Sequence, residues 1–163
     1  MTSVGIRHPV RIIGVGNLFR GDDAAGLLAA RRLKALVGDR ADVIEAELAG
    51  LDVLDLMAEA SAVILIDAAR SSQPAGTIHR LDASAGPISA DLFPHSTHVL
   101  HAVDAIELGR TLGLLPPRVI VYGVEVGDTT AGNDLSPAVA EVLDQVVERV
   151  LHELEGLSCT SGS

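Results

Sequence analysis

The arrangement of apolar runs constrains this chain more than any other feature of its sequence. Val10-Arg11-Ile12-Ile13-Gly14-Val15, Ala62-Val63-Ile64-Leu65-Ile66-Asp67 and Arg118-Val119-Ile120-Val121-Tyr122-Gly123-Val124 are short, rich in β-branched residues and bounded by turn formers, so they read as strands. The second is apolar up to its last residue, as in a strand covered on both faces. Residues 41–46 form a further strand candidate. Residues 77–81 alternate after the Gln73-Pro74-Ala75-Gly76 turn, as expected of an edge or antiparallel strand. Ala- and Leu-rich segments at helical spacing fall between them, at about 24–36, 51–60, 97–112 and 137–154, the last opened by Ser136 as cap and Pro137 in the first turn. Strands alternating with helices predict a three-layer α/β/α domain with a mostly parallel, twisted sheet of about five strands and helices on both faces. In such sheets ligands gather where strands end, so chemistry is to be sought in the loops that follow these runs.

At 163 residues the chain has the length of one domain, expected over residues 1–155, with the small, polar residues 156–163 as a flexible tail. Twelve Lys and Arg against 22 Asp and Glu leave a net charge of −10, which argues against binding nucleic acid or anionic lipid through phosphate neutralisation and favours cationic partners. Aromatic residues are only 2% of the chain, too few for a base-stacking platform. The single cysteine, Cys159, excludes an internal disulfide framework and zinc-ribbon patterns, consistent with a reducing cytoplasm. No signal-peptide core precedes Pro9 and no stretch is apolar enough to span a bilayer, so the expectation is a cytoplasmic protein without membrane insertion.

Several constellations carry possible chemistry. Gly14-Val15-Gly16 follows a strand, but Phe19 stands where a dinucleotide fingerprint needs its third glycine, and the only lysine, Lys34, is too far along for a phosphate loop. No nucleotide cofactor is expected. Asp22 and Asp23 open a helical segment, where one acid suffices as a cap and two adjacent acids allow the second to face a cation. Asp67 ends an otherwise apolar strand, so its carboxylate must meet a turn amide, a helix terminus, a metal or water. His95, His98 and His101 cluster before a helix, with Ser96 as its expected cap. Two carboxylates and an imidazole make a ligand set suited to nickel or zinc with positions left open. Cys159 lies in the expected tail and no serine occupies a Gly-x-Ser-x-Gly elbow, so nucleophilic catalysis is disfavoured.

Ile13-Gly14-Val15-Gly16-Asn17, Gly21-Asp22-Asp23-Ala24-Ala25-Gly26, Ile66-Asp67-Ala68, Ser96-Thr97-His98 and Leu135-Ser136-Pro137 together resemble the nickel-iron hydrogenase maturation endopeptidases, in order and spacing from about residue 10 to 150. The resemblance implies an endopeptidase that removes a C-terminal extension from a nickel-loaded [NiFe] hydrogenase large-subunit precursor. It implies Asp23, Asp67 and His98 as the metal-contacting and catalytic residues, with nickel arriving on the precursor. Asn17, Asp22 and Glu45 follow as substrate-binding or supporting residues, Asp22 as a cap. Two departures stand out: Glu45-Ala46-Glu47-Leu48-Ala49-Gly50 lacks the Gly-Gly-Thr that follows an acid in many members, and Ala24 replaces a common glycine. The altered segment leaves an alternative open, a noncatalytic nickel-checking chaperone of the same fold that holds the precursor without cutting it.

Overall fold

The computed structural model of the chain describes residues 9–47, 50–89, 101–127, 129 and 134–160. Five strands, β1 (Val10–Gly16), β2 (Asp42–Glu47), β3 (Ala62–Ala69), β4 (Ile78–Asp82) and β5 (Arg118–Glu125), form one sheet in the order β2-β1-β3-β5-β4. β1, β2, β3 and β5 run parallel, and β4 pairs antiparallel with β5 at the edge. The expected mostly parallel sheet and the edge placement of residues 77–81 both hold.

Among the described residues four helices cover the sheet: α1 (Ala25–Val37, preceded by a 3-10 turn at Gly21–Ala24), α2 (Val53–Met57), α3 (Ala102–Leu112) and α4 (Pro137–Thr160). α1 and α4 pack on one face, over Ile12, Ile64, Ile66, Ile120, Tyr122 and Val124. α2 and α3 cover the other, over Ile13, Val15, Val63, Leu65, Val119 and Val121. Alternation along each strand divides its residues between two apolar layers, and each fully buried Ile, Leu or Val contributes roughly 1.5–3 kcal/mol.

The edges of the elements differ from the sequence expectation in informative ways. α4 does not stop near 154 but continues through Thr160, because Leu143, Val146, Val147, Val150, Leu154 and Leu157 keep one stripe of the helix buried past Gly156. A tail beginning at residue 156 is therefore not what forms. β3 and β5 run beyond Asp67 and Val124, to Ala69 and Glu125. The helix expected from residue 97 is described from Ala102, with the His101 amide donating to Asp104 Oδ2 at 2.8 Å in its first turn. His95, Ser96 and His98 lie outside the described residues. Among the described residues no helix is long and apolar enough to cross a membrane.

Candidate functional site

β1, β2, β3 and β5 all end at the same edge of the sheet, and the loops that leave it carry the candidate residues. The glycines after the first run are there because α1 lies directly against the sheet. A Cβ on Gly14 would overlap the Gly26 carbonyl oxygen and stand 2.5 Å from Ala30 Cβ, and one on Gly16 would overlap the Asp23 carbonyl oxygen. On Gly26 it would run into the carbonyl oxygens of Val15 and Ile66. These are backbone atoms that a side chain cannot displace cheaply. The Gly14-Val15-Gly16 pattern thus serves helix–sheet packing. Since Gly26 rests on Ile66, the turn before it brings Asp23 to the end of β3, where Asp67 follows Ile66.

The connecting loop is fixed by its own hydrogen bonds. The Asn17 amide donates to the Asp23 carbonyl oxygen at 3.0 Å, and the Asp23 amide to the Arg20 carbonyl oxygen at 3.0 Å. The Asn17 side-chain oxygen accepts the Phe19 amide at 2.9 Å, an Asx turn that shapes the loop. Asn17 is thereby placed as a loop-forming residue, joined through its backbone to the half-buried Asp23.

Adjacent Asp22 points elsewhere. It is fully buried, and its carboxylate accepts the Gly127 amide at 2.6 Å, the Ser136 amide at 2.6 Å and the Ser136 hydroxyl at 2.7 Å. No side-chain hydrogen bond caps the 3-10 turn or α1. The capping role expected of Asp22 is exerted on a different helix: it ties the loop after β1 to the loop after β5 and to the start of α4. Such charge-assisted bonds to backbone amides are the strong kind.

Asp67 is half-buried, with Oδ1 accepting the Ala68 amide at 2.8 Å. Burial pushes its carboxyl up to about 7; the Ala68 amide opposes this, the negative charge of Asp23 adds to it, and Arg70 opposes it. The structure therefore brings Asp23 and Asp67 within electrostatic reach of each other. It does not bring Glu45 to them. Glu45 pairs with Gly14, so it faces α1, where Arg31 Nη2 and Nε donate to its Oε1 at 2.8 and 3.0 Å. Asp67 points to the opposite face, in phase with Leu65 and Ala69 of the α2/α3 layer. Among the described residues no three His, Cys, Asp or Glu side chains converge as a metal cage. Asp23 and Asp67 are half-buried carboxylates, and their mutual repulsion is of the kind a divalent cation relieves.

Sequence reasoning missed Glu125. Only 2% exposed, it ends β5 one residue past the expected boundary. Its Oε1 accepts the Ser71 amide at 2.9 Å, the Ser71 hydroxyl and His79 Nε2 at 3.0 Å. The signal was the one noticed at Asp67, a carboxylate closing an apolar strand, together with a histidine in an alternating edge strand.

Comparison with known proteins agrees along most of the chain. Residues 28–153 match the model of a family described as hydrogenase maturation protease, a span that contains Asp67 and His98 and begins after Asp23. The chain is similar to the hydrogenase 2 maturation protease of Escherichia coli (strain K12), with 27% identity over 150 residues covering 89% of this chain and 90% of that protein. The solved structure of the hydrogenase maturating endopeptidase HybD from E. coli superposes with a TM-score of 0.76 at 26% identity, covering 91% of this chain and 93% of that one. A [NiFe] hydrogenase maturation protease HycI from Thermococcus kodakarensis KOD1 shares the fold, with a TM-score of 0.71 at 24% identity over 93% of this chain and 95% of that one.

Proposed function

The chain belongs to the hydrogenase maturation protease family, and from that membership we propose that it removes the C-terminal extension of a nickel-loaded [NiFe] hydrogenase large-subunit precursor. Nickel comes with the precursor as part of the substrate. Asp23 and Asp67, with His98, hold it while the scissile peptide lies across the carboxyl edge of the sheet. The observation that carries this is the pairing of Asp23 with Asp67, a carboxyl that burial and its acidic neighbour push up to about 7. Such a pair gains from an arriving cation, which neutralises both acids at once and fixes the precursor in register. Asp22 keeps the Asp23 loop in place by anchoring it to α4. The surplus of acidic side chains over the whole chain also favours a partner that carries positive charge.

Hydrolysis adds water to the carbonyl carbon of the scissile bond and returns a proton to the leaving nitrogen. A metal ion held by Asp23, Asp67 and His98 would supply Lewis-acid stabilisation of the developing oxyanion. The chain's part is to orient the peptide, to hold the ion through three side chains and to leave its remaining positions open.

Glu45 favours a second reading, in which the protein inspects the nickel and holds the precursor without cutting it. Glu45 lies within β2 and its carboxylate is held by Arg31 on the α1 face, so the acid before the altered segment is not turned to a substrate beside Asp67. Mass spectrometry of the nickel-loaded precursor, incubated with the protein or with its Asp23→Ala variant, separates the two. Loss of a C-terminal peptide with the unsubstituted protein alone is the expected result. Equal processing by a folded Asp23→Ala variant rejects the site. A precursor that stays intact and bound establishes the chaperone.

A further inference from the structure

Asp67 is paired with Gly123 on β5, and Gly123 is paired with His79 on β4. Residues in such a row share a face of the sheet. Two positions earlier, Leu65, Val121 and Leu81 form the equivalent row and belong to or pack on the α2/α3 layer, so Asp67 and His79 look out on that same side. Gly123 has no side chain, so the next β5 side chain on that face is Glu125. With strands spaced at about 4.8 Å, the two backbones lie about 10 Å apart. Both flanking side chains are half-buried rather than sealed.

The imidazole is held by Glu125, the neighbouring β5 side chain on that face. Nε2 lies 3.0 Å from Oε1 of the buried Glu125 and 3.5 Å from the Ser71 hydroxyl, which itself donates to that oxygen. A carboxylate only accepts, so Nε2 is the donor in this pair, and in the neutral imidazole Nδ1 is the nitrogen with the lone pair. Among the described residues Nδ1 makes no hydrogen bond, and it is not a sealed, unsatisfied atom. An imidazole whose tautomer is set by a buried carboxylate is the arrangement of a general base.

We propose that His79, oriented by Glu125, is the proton carrier of the peptide cleavage, working across Gly123 from Asp67. This rests on the endopeptidase reading. Asp23, Asp67 and His98, engaged with the cation, are not free to move protons, and the reaction needs a group that is. Nδ1 accepts a proton from water as the water oxygen bonds to the carbonyl carbon. The same proton passes to the leaving nitrogen as the C–N bond breaks, and Glu125 stabilises the imidazolium in between. Atoms and charge balance without a further reactant.

The test is a time course of cleavage of the nickel-loaded precursor by the unsubstituted protein, His79→Gln and His79→Ala, with capture of the precursor measured in parallel. His79→Gln keeps a donor for Glu125 and has no base, so it covers the case in which His79→Ala fails to fold. The expected result is a loss of about 10²-fold or more in rate with capture unchanged, and recovery of the folded His79→Ala variant on adding imidazole. His79→Gln cutting at the full rate overturns the proposal. A slow, folded His79→Ala variant that captures the precursor but ignores imidazole overturns it too, since that pattern marks a structural role. Failure of the unsubstituted protein to cut the precursor removes the endopeptidase reading itself, and this inference with it.

Discussion

Asp22 and Asp67 are both acids drawn into the fold at the carboxyl edge of the sheet, and the chain surrounds them in opposite ways. Asp22 is fully buried and receives two backbone amides and a hydroxyl from Gly127 and Ser136. Asp67 receives one amide, from Ala68, and looks toward the like charge of Asp23. An acid supplied with donors is a fastening, and its charge is spent on holding backbone. An acid that burial and a like charge push up to about 7 keeps an unmet demand for positive charge, which an incoming cation can satisfy. The adjacent pair Asp22-Asp23 therefore divides its labour, one residue securing the loop and the other facing Asp67 electrostatically in the proposed site.

The contrast predicts opposite responses to substitution. Asp22→Ala removes the buried carboxylate that accepts from Gly127 and Ser136 and frees the start of α4, so unfolding in denaturant should show a loss of about 3 kcal/mol. A loss within experimental error would mean that the carboxylate is not the fastening between the loops after β1 and β5.

Asp67→Asn should act in the other direction and by less. Because the folded carboxyl is raised to about 7, above its unfolded value, the protonated form is favoured by folding. The stability this group contributes is therefore complete below the unfolded value and is lost as the pH rises through about 7. Asparagine does not ionise, so the variant should match the parent in acid and exceed it by about 2 kcal/mol in mild alkali, the figure being reduced for water at a partly open site. Thermal melts on both sides of neutrality check this, and a variant less stable than its parent at every pH would show that the Asp67 carboxylate is a fastening after all.

The layers of the fold were legible from the chain because each apolar run has a length and composition that only a strand or helix can bury. The edge placement of β4 was legible from its turn and its alternation. What escaped depends on contacts remote in sequence. Nothing near Gly156 announces that Leu157 finds a place beside α1 and the sheet, so α4 looked shorter than it is. Asp22 looked like a cap for its own helix because its partners at Ser136 and Gly127 are more than a hundred residues away. The face taken by Glu45 follows from its register with Gly14, which no local pattern specifies. Asp67 was recognisable as a polar end to an apolar strand. Glu125 was equally so in principle, but its strand was ended one residue early. His98, the third member of the expected ligand set, lies outside the described residues.

The electrostatic partnership of Asp23 and Asp67 underlies the functional account, and a carbon-detected NMR titration of the Asp67 carboxyl in the metal-free protein tests it most directly. The account predicts a midpoint at about 7 in the parent and a lower one in Asp23→Asn, where the opposing charge is gone. A midpoint in the ordinary carboxylate range, unchanged by Asp23→Asn, would contradict it.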